Sequence, residues 1–364
     1  MKKMTIRSFL LVCILCALCL CGCRKHGTPT ITSNFVSIGY SIDDKSYNSK
    51  VWDGILGFYG DIRGEEEHFG TLYDVTSCWN AEKIEPALLQ ISEAAQTDLI
   101  ICSGVSMERY VLNAANRFPE QKYLCIDGSF AAGIPQNIMN FVFSAEEGSY
   151  LVGAAAAMQA LVDSAPPRFG FIGGEETPGI KEFELGFMQG VLSVIPEAEL
   201  YSAYVGDWTS PDKASAIAKR WYDNDVYAIF SAAGASGNGT IAQAVAHRKV
   251  GKNVWAIGVD RDQFEEGTYG IGKSAVLTSM VKNIDRAVSF GLSLVQKNEF
   301  RGGTITLGLK EDGVGYTRTN KELNETVVKI LLSITDDIIN ERIRICTFAQ
   351  NQEEAEHLLR NVRH

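Results

Sequence analysis

The sequence predicts an α/β protein made of two doubly wound, parallel-sheet lobes joined by a hinge that the chain crosses three times. Three observations point there. Short apolar runs alternate with amphipathic stretches at helical spacing. Many of the apolar runs end in Gly, Asp or Ser, as in Ser103-Gly104, Asp127-Gly128, Gly173-Gly174, Gly234 and Asp260. The alternation is also interrupted where a chain would leave one lobe for another.

The N-terminus carries Lys2, Lys3 and Arg7, then an apolar run over residues 9–20. That run is short for a membrane span and reads as the core of a signal peptide over 1–22. It closes on Leu20-Cys21-Gly22-Cys23, which resembles the lipobox of bacterial lipoproteins. The resemblance implies cleavage before Cys23 and a lipid on its thiol, holding the protein on the external face of the cell membrane. Residues 23–34 read as a polar tether. Removing the leader takes three of the 34 basic residues and leaves 31 against 44 acidic, a charge of −13. Such a surface argues against nucleic acid as a partner.

The strand-like runs are 35–40, 98–103, 122–127, 138–144, 169–173, 226–232 and 254–259. Helix-like stretches fall at 49–58, 81–95, 107–117, 146–162 and 211–222. This βαβ order implies parallel sheets, whose ligands bind beyond the carboxyl ends of the strands. The strand at 138–144 runs directly into an Ala- and Gly-rich helix, and the alternation breaks into a polar loop over 260–272. Both read as crossings, with a third near 307–313. The expected lobes are 35–144 plus 262–305, and 145–261 plus 306–364.

Several motifs suggest chemistry. Gly267-Thr-Tyr-Gly-Ile-Gly272-Lys273-Ser274 spells the P-loop pattern. That motif needs a strand directly before it and a helix directly after, whereas a polar stretch precedes it and a strand-like run follows. No His lies at metal spacing with a Cys or Asp, and no G-x-S-x-G elbow is present. The sequence therefore offers little for catalysis, and no enzyme activity, cofactor or metal is expected. Cys78, Cys102, Cys125 and Cys346 are widely spaced and read as buried free thiols.

Ile42-Asp43-Asp44-Lys45-Ser46-Tyr47-Asn48 resembles the signature of the basic membrane protein family of solute-binding lipoproteins, which includes purine nucleoside receptors. Further pieces similar to that family follow in order: Phe143-Ser-Ala-Glu-Glu-Gly-Ser-Tyr-Leu-Val-Gly153, Phe171-Ile-Gly-Gly174, Gly186-Phe-Met-Gln-Gly190, Ala232-Ala-Gly234-Ala-Ser-Gly237-Asn-Gly239, Ile257-Gly-Val-Asp260-Arg-Asp262-Gln263 and Leu277-Thr-Ser-Met-Val-Lys282. The resemblance implies a type I periplasmic-binding-protein fold, a nucleoside ligand between the lobes and delivery to an ABC permease, by a monomer. It implies stacking of the base between Tyr47 and Trp208, both at positions where the family usually has Phe. It implies that Asp43 and Asn48 read the base and that Asp260 and Lys282 hold the ribose, with backbone contacts from Gly234 and Gly237. Ser103 and Asp127 sit at strand ends that would face the cleft. An anchored receptor for a sugar or signalling solute, or an exported nucleoside-cleaving enzyme, are the competing readings. A calcium-dependent hydrolase would want an aspartate cluster near the N-terminus, and Asp43-Asp44 is only a pair.

Overall fold

Chain segments that are apolar on both faces form strands at the middle of sheets, and this sets the order of the architecture. The computed structural model describes residues 30–38, 42–131, 133–360 and 362–363. The expected leader, Cys23 as the expected lipid site and residues 24–29 of the expected tether lie outside them. The strands are β1 (Ser33–Ile38), β2 (Tyr73–Cys78), β3 (Leu99–Ser103), β4 (Lys122–Ile126), β5 (Ile138–Phe143), β6 (Arg168–Gly173), β7 (Glu199–Tyr204), β8 (Ala228–Ala232), β9 (Trp255–Asp260), β10 (Thr268–Gly270), β11 (Lys273–Ser274), β12 (Val276–Lys282), β13 (Gly303–Leu307) and β14 (Val314–Tyr316). The first sheet has the order β13-β5-β4-β3-β1-β2 and is wholly parallel. The second has the order β14-β12-β9-β8-β6-β7 and is parallel except for β14. Every residue of β3, β8 and β9 is buried, in keeping with their mostly apolar runs.

The helices are α1 (Tyr47–Tyr59), α2 (Ala81–Ala94), α3 (Glu108–Arg117), α4 (Ala145–Asp163), α5 (Pro178–Val194), α6 (Pro211–Asp223), α7 (Gly237–Lys249), α8 (Ile284–Gln296), α9 (Glu325–Ile339) and α10 (Gln352–Leu359). Helix α4 is buried along most of its length, so it carries no polar face. It meets α5 backbone to backbone: a Cβ on Gly153 would come within 2.2 Å of the Phe187 carbonyl oxygen, and one on Gly190 within 2.1 Å of that of Tyr150. Only glycine permits that approach.

Two expectations are corrected here. The tether was expected to reach residue 34, but Ile31 is buried and β1 starts at Ser33, because Thr32 is tied to Asp98 at the foot of β3. The return to the first lobe was expected at 262. Instead β12 runs parallel beside β9, from Val276 opposite Ala256 to Val281 opposite Asp260, so the chain stays with the second sheet through Lys282. The crossing comes at Asn283, after which α8 packs on α1. The polar loop read as a crossing leads back to the amino edge of the second sheet and includes the β10–β11 hairpin. That hairpin occupies the P-loop look-alike, with a strand after it and no helix. The chain also passes between the sheets at 144–145 and over 307–313, since β13 pairs with β5 and β14 with β12.

Near the end of the chain, two described parts meet the second lobe's elements. Helix α10 packs on α5, and Arg363 joins the free edge of β7 by donating its N–H to Leu200 O (2.9 Å) and accepting from Ser202 N (2.8 Å). No helix among the described residues is long and apolar enough to cross a membrane. The four described cysteines are buried and free.

Candidate functional site

The carboxyl edges of the two sheets face one another, and polar side chains join them directly. Asp44 begins this arrangement. Its carboxylate accepts from the N–H groups of Ser46 (2.8 Å), Asn48 (2.8 Å) and Ser49 (3.0 Å), capping α1 and fixing Tyr47 and Asn48 in its first turn. The Tyr47 hydroxyl lies 3.1 Å from the Ile126 carbonyl oxygen and 3.1 Å from Asp127 Oδ2, at the end of β4. Ser103, at the end of β3, donates to Asn48 Oδ1 across 3.3 Å.

Asp127 and Asp260 both end strands in the left-handed region, with φ of 57° and 66°. Such conformations are costly for a residue with a side chain and cluster at functional positions. From the second sheet, Lys282 donates to Asp127 Oδ2 at 2.8 Å. Its ammonium is nearly buried and lies 4.9 Å from the ring centre of Phe183, 5.3 Å from that of Phe143 and 5.9 Å from that of Tyr47. Asp260 accepts from Ser46 Oγ at 2.8 Å, a second bridge between the edges. Arg261 to Ser49 Oγ and Gln263 to the Lys45 carbonyl oxygen extend the seam. Burial pushes the Asp260 carboxyl up to about 6, against the opposing pull of Lys282 and the Ser46 hydroxyl. Burial and the neighbouring Asp127 hold the Tyr47 phenol well above its ordinary value, so it remains a donor. Glu146, at the start of α4, is raised to about 7, chiefly by burial.

Trp208 stands on the β7–α6 connection, at the carboxyl edge of the second sheet. Asp207 holds the loop by accepting from Thr209 N, Thr209 Oγ1 and Ser210 Oγ, and those hydroxyls keep its carboxyl below the usual range. Ser236 N donates to the Trp208 carbonyl oxygen at 2.9 Å, and Ser236 Oγ donates to that of Asp207 at 2.7 Å. The indole lies against the backbone at the end of β6. A Cβ on Gly174 would fall 2.5 Å from its Cε3 and Cζ3, and one on Gly234 would fall 3.5 Å from Cε3.

Of the residues singled out from sequence, Tyr47, Asp127 and Lys282 share one hydrogen-bonded chain, and Ser103, Asn48 and Asp260 are joined through Asp44 and Ser46 in another. Trp208 and Gly234 adjoin in a further group on the second sheet's edge, and Gly237 packs its backbone near Ser231 at the start of α7. Asp43 is exposed, and its carboxylate meets Arg63 at 2.5 Å, where Arg63 also pairs with Asp53 at 2.8 Å. Sequence reasoning missed Ser46 and Gly174. Both lie inside motifs already marked, but neither residue type announces a contact that depends on distant chain.

Residues 32–347 match the model of the Bmp family, described as ABC transporter substrate-binding protein, PnrA-like. A Listeria innocua protein named CD4+ T-cell-stimulating antigen is 29% identical, covering 95% of this chain and 99% of its own. A Lactococcus lactis protein named ABC transporter nucleoside-binding protein BmpA is 27% identical, over 87% of this chain and 93% of its own. The fold is also that of a solute-binding protein of an ABC transporter system from Aeropyrum pernix, with a TM-score of 0.77 at 21% identity, covering 90% of this chain and 98% of that one.

Proposed function

The chain belongs to the Bmp family of PnrA-like ABC transporter substrate-binding proteins, and from that premise we propose that it captures a nucleoside, a purine one first, between the carboxyl edges of its two sheets and hands it to a membrane permease. The observation that carries this reading is the meeting of Tyr47, Asp127, Lys282 and Asp260 across the two edges, with Trp208 exposed in part at the same edge of the second sheet. A nucleoside needs this mixture of groups. Its base is flat and apolar on its faces, which suits Tyr47 and Trp208. Its sugar is neutral and rich in hydroxyls, which donate to Asp127 and Asp260 and accept from Lys282. Asn48, held by Ser103, reads the base edge.

The protein acts by binding alone, and no bond of the ligand breaks. Hinge motion at 144–145, 283 and 308–313 parts and rejoins the edges. Closure removes water, so each hydrogen bond counts for more. We place the lipid on Cys23 and the protein on the external face of the membrane. The nucleoside-binding name of the Lactococcus lactis relative supports the ligand class.

Thermal-shift and calorimetric titration with nucleosides, free bases and sugars tests the reading. A nucleoside at a hundredfold excess over its Kd should stabilise the fold by about 2.7 kcal/mol. Trp208→Ala should weaken that nucleoside about tenfold, roughly 1.4 kcal/mol. A sugar that binds while no nucleoside does, or release of free base during incubation, would replace this function with another.

A further inference from the structure

The Asp127 carboxylate is held from two sides by donors of different origin. Its backbone is fixed, since Asp127 N donates to the Phe141 carbonyl oxygen at 2.8 Å. Oδ2 accepts from Lys282 Nζ at 2.8 Å and from the Tyr47 hydroxyl at 3.1 Å. The hydroxyl has one proton and two acceptors at equal range. The Ile126 carbonyl oxygen already takes Gly104 N at 2.9 Å, so the carboxylate beside Lys282 is the stronger claimant. Oδ1 has no partner among the described residues, and the side chain is 24% exposed.

The two donors differ in what happens when the lobes part. Lys282 ends a strand of the second sheet and leaves Asp127 when the edges separate. Tyr47 lies on α1, which stays with the first sheet, as does Asp127. The phenol is therefore the one donor that keeps Oδ2 anchored, and Oδ1 presented, in the open molecule that meets the ligand. The family resemblance puts Phe at this position, which would leave the carboxylate free to turn before closure.

We propose that the Tyr47 hydroxyl is a positioning group that preorganises Asp127 to accept a hydrogen bond from the sugar of an incoming nucleoside. This rests on the nucleoside reading above. A carboxylate already aimed loses little rotational freedom on binding, so the benefit falls on ligands that carry a sugar hydroxyl. The ring of Tyr47 and its stacking face are separate from this role.

A double-mutant cycle with inosine as the probe tests the assignment. Calorimetric Kd values are measured for the wild type, Tyr47→Phe, Asp127→Asn and the pair, with thermal unfolding to verify that each is folded. Tyr47→Phe should weaken inosine about five- to tenfold. In the Asp127→Asn background the same change should alter Kd less than twofold, a coupling that a merely structural tyrosine would not produce. An unchanged Kd in Tyr47→Phe overturns the proposal, as does an equal loss in both backgrounds. A wild type that binds no nucleoside at all defeats the ligand reading itself, and the role of the hydroxyl with it.

Discussion

Asp260, a ligand group in the proposed reading, is also a burden on the fold. Its carboxyl is almost fully buried and pushed up to about 6 from an ordinary 3.8. Between pH 4 and 6 the folded state holds a proton that the unfolded chain has released. The cost of the buried charge is therefore fully present above pH 6 and disappears as pH falls through 6 toward 4. That cost is about 3 kcal/mol at most. Asp260→Asn should thus raise the denaturation midpoint of ligand-free protein at pH 7.5, with the gain vanishing near pH 4. It should also weaken nucleoside binding by about tenfold. In the wild type, affinity should fall on acidification below pH 6, as the acceptor gains a proton. Titration calorimetry and urea melts at pH 4.5 and 7.5 measure both signs; a loss of stability in the variant at pH 7.5 would contradict the account. At this scale the sequence was readable where a residue ends a strand. Ser103, Asp127, Asp260 and Lys282 all follow apolar runs, and in a parallel sheet those ends share one edge. Ser46 was not readable, because its partner lies 214 residues away. The pair Asp43-Asp44 is divided in a way the sequence does not show: Asp44 caps the helix, and Asp43 pairs with Arg63.

Among the elements, the β7–α6 connection and the end of β6 act as one surface. The indole of Trp208 rests where Gly174 has no side chain. Gly174→Ala should displace the ring without removing it, weakening nucleoside binding about fivefold while costing under about 1 kcal/mol of stability, since the ring is partly exposed and can move. Calorimetry together with the tryptophan emission spectrum separates this outcome from a general loss of fold. The elements themselves were largely legible, because β3, β8 and β9 are mostly apolar and α4 is rich in Ala and Gly. The lobe assignment of β12 was not. Val276–Lys282 is an apolar run that either sheet could bury, and only its pairing with β9 decides. The interruption before it was real, yet it marks a return along the same sheet and not a departure from it.

For the molecule as a whole, the last residues of the chain finish the second sheet. Helix α10 buries Ala355 against Leu185 and Cys346, and Arg363 covers the β7 edge while pairing with Glu199. An uncovered edge of that kind invites pairing with another chain. Removing residues 348–364 should lower the denaturation midpoint and produce concentration-dependent self-association, read by urea melts and size-exclusion chromatography. Nucleoside affinity in the remaining monomer should hold within about twofold, because the described partners of Asp127, Asp260 and Lys282 all lie outside the trimmed segment. A truncated protein that stays monomeric and equally stable would deny the tail this sealing role.

The β10–β11 hairpin offers a handle on the working protein. Ile271 at its tip is fully exposed, and Ala275 beside it pairs with Ala256 at the amino edge of the second sheet, opposite the edge that carries Asp260 and Lys282. The described cysteines are all buried. Ile271→Cys would therefore present the one reachable thiol among the described residues, on a solvent-facing turn of the sort that tolerates change. A dye coupled there could follow how the second lobe swings, at a distance from the captured solute, and turn the transporter component into an optical reporter of its own cargo.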